Sequence, residues 1–289
     1  MSTTTSSPTG SPTPGRTQAV TLTADGVPAA PTGQDQHPFA LARHSLILAG
    51  RAVTKIRRTP EQLIDVTLQP ILFTVVFVYL FGGAISGSTH DYLQYVLPGL
   101  LTQTLLFSSV AIGVNLNTDV EKGVFDRFRS LPIPRSAPLV GAVLGDVVRF
   151  VTSIVVMIGF GYIIGFRIET DPFQALAACL LALGFALAMS WLSVTLGLVL
   201  RNSGSVQGIG FMALFPLTFG SSMFVSADTL PGWLQAWVKI NPVTHLTDAI
   251  RGLLIGGLDT SDLVSSIAWG IGLVVVFAPL AVRAYRRRT

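Results

Sequence analysis

Six stretches of this chain are long and apolar enough to cross a lipid bilayer, and nothing else in the sequence restricts its fold as much. A helix needs ~20 mostly apolar residues to cross ~30 Å of hydrocarbon. The runs at 64–85 ("IDVTLQPILFTVVFVYLFGGAI"), 95–116, 146–166, 173–199, 206–225 and 263–282 meet that length. Lipid cannot satisfy open backbone groups, so each run is expected to be a helix rather than an open strand. The expected fold class is an all-α integral membrane protein with six transmembrane helices. Half of the residues are hydrophobic and 12% are charged, with a mean hydropathy of +0.61. Soluble domains carry about twice that share of charge. Pro70, Pro216 and Pro279 fall within the runs and predict kinks or nearby helix ends.

Basic residues orient the spans. With the N-terminus inside, the cytoplasmic side receives 16 of the 19 Lys and Arg residues, and only Arg167, Lys239 and Arg251 remain outside. The reverse arrangement breaks the positive-inside rule. Both termini are therefore expected in the cytoplasm. The pI near 9.6 then reflects topology, and no nucleic-acid partner is expected. Residues 1–36 are rich in Ser, Thr, Pro and Gly and lack an apolar core, so they read as a disordered cytoplasmic tail, not a secretory signal. The domain proper is expected over 37–289.

Two segments outside the spans have helical patterns. In "HPFALARHSLILAGRAVTKIRR" (37–58), Phe39, Ala42, Leu46, Ala49, Val53 and Ile56 share one side, and Arg51, Lys55 and Arg58 lie opposite. This is the pattern of a helix lying in the inner headgroup layer; packing on a cytoplasmic partner is the alternative. Between the last two spans, residues 226–262 hold two short helical patterns broken at Asn241-Pro242. Trp233 and Trp237 are one turn apart, as interface-anchoring aromatics are. These helices are expected to dip into or lie on the outer leaflet, or else to form an external cap.

Motifs for chemistry are missing. The chain has no G-x-x-x-x-G-K-[ST], H-E-x-x-H or G-x-S-x-G. His37, His44, His90 and His245 show no metal-ligand spacing, and the single Cys179 reads as a packing residue within an apolar run. Neither a catalytic residue nor a metal site is expected. Asp65, Asp146 and Arg149 sit near inner span ends, and Asp146–Arg149 have the i,i+3 spacing of a pair. An acidic relay at mid-depth, usual in ion-driven transporters, is absent. What remains inside is uncharged: Gln69, Thr102, Gln103, Thr104, Ser108, Ser109, Ser190, Ser193, Thr195, Gln207, Thr218, Ser221 and Ser222. Gln69, Gln103, Ser108, Ser193 and Gln207 are candidates for lining a translocation path, with helix–helix glue as the alternative role. Gly141/Gly145 and Gly161/Gly165 have spacings that permit close helix approach.

The insert "TDVEKGVFDRFRSLPIPRS" (118–136) joins the second and third spans on the cytoplasmic side. Thr118 and Glu121 match a capping box, so a helix is expected to start there. Val120, Val124, Phe128 and Leu131 fall on one face, with Lys122, Asp126 and Arg129 opposite and Arg127 beside the apolar stripe. Pro132 and Pro134 stop the helix and stiffen the exit. Such an element could lie on the membrane, or it could be a rigid knob gripped by a soluble partner.

With its flanks, "NTDVEKGVFDRFRSLPIPRSAPLVGAVLGD" resembles the signature region of ABC-2 type permeases, and more narrowly the membrane subunits of actinobacterial antibiotic exporters of the daunorubicin-resistance type. "PGWLQAWVKINPVTHLTDAIRGLLIGG" resembles their segment before the last span, and "YVLPGLLTQTLL" fits the second span. The resemblance covers about residues 38–288. It implies the permease subunit of an ATP-driven exporter in the bacterial inner membrane, moving a drug, antibiotic or other amphiphilic metabolite. Two ABC-type ATPase subunits and a second, identical permease would complete it. ATP and Mg would be bound by the ATPase, and this chain would bind no cofactor. The resemblance makes Asp119, Glu121, Lys122, Val124, Phe125, Asp126, Arg127, Phe128 and Arg129 an ATPase-coupling helix. Phe39, Leu46, Arg51, Val53, Lys55 and Arg58 become the interfacial helix. Trp233, Trp237, Asn241, Pro242 and His245 fall on outer helices that help close the external side. Export of polysaccharide or lipid-linked envelope precursors, ion-coupled transport and a non-transporting scaffold stay open as alternatives. Reversing the charges of Glu121, Arg127 and Arg129 together is expected to abolish permease-stimulated ATP hydrolysis while leaving membrane insertion intact. Normal stimulated turnover in that variant counts against docking at the insert.

Overall fold

The computed structural model describes residues 60–123, 140, 143 and 145–288. The expected tail (1–36), the interfacial helix and its residues Phe39 to Arg58, and Val124 to Ser136 of the insert lie outside the described residues.

Among the described residues all regular structure is helical. The first expected span is composite: α1 (Pro60–Val76), a π-helical turn (Phe77–Phe81) and α2 (Gly82–Ser86). Next come α3 (Thr89–Glu121), α4 (Val147–Ile164), α5 (Pro172–Val199) and α6 (Ser203–Phe219). A 3₁₀ turn at Ala227–Thr229, α7 (Gly232–Ile240), α8 (Pro242–Ile255) and α9 (Thr260–Arg288) complete the chain. Five helical segments have the length and apolarity to cross a membrane: 68–86, α3, α4, α5 and α9 through Arg286. α6 occupies the fifth expected span with 17 residues. At 1.5 Å per residue it reaches about 25 Å, near the lower limit for a crossing.

Helix ends follow from local chemistry. Ser88 caps α3 by accepting from the Asp91 amide at 3.3 Å, and Asn202 caps α6 by accepting from the Ser205 amide at 2.7 Å. Pro172 occupies the first turn of α5, where its missing N–H costs nothing. Pro70, Pro216 and Pro279 lie inside helices as expected, and Pro98 lies inside the buried part of α3.

α3 is the hub. Its apolar stretch is 78% buried in protein, against 6% for that of α9. α3 packs on α1, α4, α5, α6 and α8, most extensively on α5, while α9 lies against α5 and α8. Small residues permit the closest crossing. A Cβ on Gly113 would overlap the Ser193 carbonyl oxygen, and one on Gly197 would overlap the Gly113 carbonyl. The α3–α5 crossing is thus backbone on backbone. Gly161 makes room for the methyl groups of the Leu97 side chain, whereas its partner in the expected motif, Gly165, instead ends α4 at a φ of +113°.

The contacts sort the helix ends into two groups. At one end the last turn of α3 meets the last turn of α5 and Val206 at the start of α6. At the other, Tyr92 of α3 donates to the Phe224 carbonyl, and the Glu169 amide donates to the Leu254 carbonyl of α8. There a string of rings, Phe73, Phe77, Phe224, Phe219 and Phe215, links α1 to α6 at centroid spacings from 4.3 to 6.1 Å.

Gly197→Ala is expected to cost about 1–3 kcal/mol, because the added methyl must push the facing backbones away from each other. Gly184→Ala, on the same helix with nothing within 4 Å of the new methyl, is expected to be neutral or slightly stabilising. Thermal unfolding of both variants in detergent compares them directly.

Candidate functional site at the two ends of the bundle

At the first end, α3 runs without a break into the insert. Thr118 Oγ1 donates to the Val114 carbonyl at 2.9 Å, one turn back in its own helix. The expected capping box is therefore not formed. A threonine within a continuous helix has its i−4 carbonyl in reach, and no extended residue precedes it to start a new helix. α3 stops instead at Gly123, whose φ is +67°, with the Lys122 amide on the Thr118 carbonyl and the Gly123 amide on the Val120 carbonyl. Asp119, Glu121 and Lys122 thus belong to the last turn of α3 and to its cap, with Glu121 and Lys122 exposed. Val124, Phe125, Asp126, Arg127, Phe128 and Arg129 lie outside the described residues.

One residue before Thr118, Asn117 is fully buried. Its Nδ2 donates to the Gly197 and Leu200 carbonyls, both at 2.8 Å, and its Oδ1 has no partner. Arg149 is also in this half of the bundle. It pairs with Asp146 at 3.3 Å, as the i,i+3 spacing implies, and its Nη2 donates to the Ser108 carbonyl. It lies in the first turn of α4, near the span end as expected, and is only 5% exposed.

The second end is built by α7 and α8. The break at Asn241-Pro242 is where the sequence places it, and Asn241 holds it. Asn241 Oδ1 accepts from the Val243 amide at 2.9 Å and caps α8; its Nδ2 donates to the Leu217 and Gly220 carbonyls at the end of α6, at 2.8 and 2.9 Å. Pro242 takes the first position of α8. The two helices then differ. α7 buries only Val238 and leaves Trp233 76% exposed; Trp237, half exposed, lies over Gly220. α8 does not lie on a surface. Val243, Leu246, Ala249, Ile250, Leu253 and Leu254 form one apolar face that buries it against α3, α5 and α9, and Thr244, Thr247 and Gly252 are buried with them. His245 is half-buried and joins α8 to the start of α9 through Asp262, 2.7 Å from Nδ1.

A further cluster forms around Arg251, which the sequence leaves as an isolated outer cation. Arg251 pairs with Asp248, donates from Nε to the Tyr95 carbonyl and from Nη2 to the Ser222 carbonyl, each at 3.1 Å, and sits 3.9 Å over the Tyr95 ring. Tyr95 donates to the Ser222 carbonyl at 2.7 Å, and the Ser222 hydroxyl donates to Asp248 at 2.9 Å. Burial pushes the Asp248 carboxyl above the usual carboxylate range, against the opposing pull of Arg251 and Ser222. The i,i+3 spacing of Asp248 and Arg251 is a readable signal; Tyr95 and Ser222 join only through the fold.

The candidate path residues are not equivalent. Gln69 and Gln207 are exposed, Ser108 is half-buried, and Gln103 and Ser193 are buried. Several other polar residues satisfy their own helix. The hydroxyls of Thr102, Thr104, Ser109, Ser190 and Thr218 donate to carbonyls three or four residues back.

A family model described as "ABC-2 type transporter" matches residues 44–255. The chain is 41% identical over 238 residues to the daunorubicin resistance ABC transporter permease protein DrrB1 of Streptomyces coeruleorubidus, covering 82% of this chain and 84% of that one. It is 26% identical over 273 residues to the probable doxorubicin resistance ABC transporter permease protein DrrC of Mycobacterium tuberculosis, covering 93% and 98%. It is 29% identical over 210 residues to the doxorubicin resistance ABC transporter permease protein DrrB of the same species, covering 70% and 72%.

Arg251→Met is expected to lower stability by about 2 kcal/mol, because Asp248 and two carbonyls lose their donor while the stem is kept. Adding Asp248→Asn should recover some of the loss. Unfolding of the single and double variants in detergent measures the coupling; additive losses contradict the pairing.

Proposed function

The chain belongs to the ABC-2 type transporter family, and on that premise we propose that it is the membrane-spanning permease subunit of an exporter for drugs or other amphiphilic compounds. It is a multi-pass protein of the cell membrane. Its working unit pairs it with a second permease and two ABC-type ATPase subunits, which bind ATP and Mg and carry out hydrolysis. The helices form six spans with both termini in the cytoplasm, and α6 crosses with the help of the turns that follow it. This orientation puts the α3 terminus, Arg201 and the basic end of α9 on the cytoplasmic side, and α7, α8 and the Arg251 cluster outside. The observation that supports the reading best is the 41% identity to a daunorubicin resistance permease over most of both chains.

The mechanism follows from the ends. Nucleotide closure of the ATPases moves the insert between α3 and α4. The stiff helices pass that motion across the bilayer, and the bundle shifts between inward- and outward-open populations. At the far side, α8 links α3, α5 and α9, so movement of those helices reaches the outer closure through the His245–Asp262 and Arg251 contacts. Gln69 and Gln207, on exposed faces of α1 and α6, are the path candidates with room for a solute.

Inside-out vesicles bearing the chain and its ATPase are expected to accumulate daunorubicin when given ATP and Mg, and not when given a non-hydrolysable nucleotide. Accumulation driven by an ion gradient without nucleotide contradicts the proposal, as does an absence of ATP-driven uptake.

A further inference from the structure

Asn117 stands on the α3 side of the insert, and α3 is one of the two helices through which a push on the insert enters the bundle. It lies near the end of α3, just over one turn before the helix stops at Glu121. Its two amide hydrogens go to the Gly197 and Leu200 carbonyls, both at 2.8 Å. These carbonyls lie at the end of α5, where an α-helix leaves its last four C=O groups without partners of its own. A side chain of one helix, itself fully buried, therefore caps the end of another.

The clasp sits beside the closest crossing in the described bundle. One turn earlier, Gly113 presses its backbone on Ser193 and Gly197. No side chain lies between the helices there to act as a cushion. Sliding α3 along α5 would break both amide bonds and take the donor from the buried Gly197 carbonyl. The contacts of α3 with α6 at this end are of another kind: Val206 touches Gly113, and Gly210 meets Val110, through apolar side chains. Apolar contacts can slip at much smaller cost than buried hydrogen bonds can be broken. α9 packs extensively on α5, where the Thr195 hydroxyl, bonded to the Trp191 carbonyl of its own helix at 2.8 Å, also lies 3.2 Å from the Phe277 carbonyl.

We propose that Asn117 is a positioning residue for transport: it locks α3 to α5, so that the stroke received at the insert moves both helices, and α9 with them, as one body. This rests on the permease reading above. Without the clasp, α3 moves by itself, and ATP is hydrolysed with little export.

The test is flux per ATP hydrolysed in vesicles containing the complete transporter. Asn117→Ala is expected to leave stimulated hydrolysis near that of the unaltered complex and to lower daunorubicin moved per ATP roughly tenfold, the scale of a typical coupling energy. Asn117→Leu should behave the same, since its side chain fills a similar volume with no hydrogen to give. A space-filling role predicts an unchanged ratio in Asn117→Leu, with both rates following the amount of folded protein, and that result overturns the proposal. Spin labels provide a reading with Asn117 in place. On a Cys179→Ala background, the distance between labels at Asn115 and Arg201 should stay fixed when nucleotide is added, while that between Asn115 and Leu68 of α1 changes. Equal changes in the two distances overturn the proposal even if Asn117→Ala fails to fold. If the unaltered complex moves no drug with ATP, the permease reading itself falls and takes this inference with it; ATP-driven export with an unchanged ratio removes this inference alone.

Discussion

The contact between the backbones of α3 and α5 at Gly113 and Gly197 is the constraint on which the other packing depends. In lipid, helices gain no hydrophobic benefit from touching each other, because the surroundings are as apolar as their side chains. Association must come from close van der Waals approach and from hydrogen bonds. Two facing glycines provide the first, and the amide of Asn117 provides the second. With α3 held against α5 at this depth, its remaining faces accept α4, α6 and α8, and the apolar side chains left outside face lipid. This is why α9, whose apolar stretch has the highest hydropathy of the five, is also the least buried, while α3 is the most buried.

Both ends of the bundle use the same device. Asn117 caps the carbonyls at the end of α5, and Asn241 caps those at the end of α6 while starting α8. Each joins helices by satisfying groups that helix geometry leaves open. The two ends differ in charge. The cluster at the second end gathers an arginine, a carboxylate and a tyrosine, and the bonds from Arg251 to the Tyr95 and Ser222 carbonyls, with the His245–Asp262 pair, tie α8 to its surroundings. A transporter that alternates between two states needs ends that are firm within each moving body and separable between bodies. Hydrogen bonds mark the first kind of contact, and apolar faces such as those of α6 the second.

Much of this is legible in the sequence because lipid imposes a long, simple signal. Each apolar run falls on a helix, with ends that differ by up to six residues and the fifth run helical only as far as Phe219, since twenty apolar residues in lipid have few options besides a helix. Asn241-Pro242 is legible as a break for an equally local reason: proline biases the residue before it away from helix. The Asp146–Arg149 pair follows from helix periodicity. What escapes is whatever depends on neighbours distant in the chain. Thr118 and Glu121 have the spacing of a capping box, but α3 continues through them and the hydroxyl turns back onto its own helix. Gly113 and Gly197 form no motif, because they lie on different helices and meet only after folding. Arg251 reads as a stray outer cation; its partners Tyr95 and Ser222 are 156 and 29 residues away. The π-helical turn at Phe77–Phe81 leaves no mark in a run that is apolar throughout.

The central claim of the proposed function is that this chain conducts and does not drive, and that the energy comes from a companion. The most direct measurement is nucleotide hydrolysis and uphill solute movement by the chain purified free of other subunits and sealed into vesicles. Neither activity is expected from the isolated chain, and both should appear once the ATPase is added. Hydrolysis or uphill movement by the chain alone would contradict the claim.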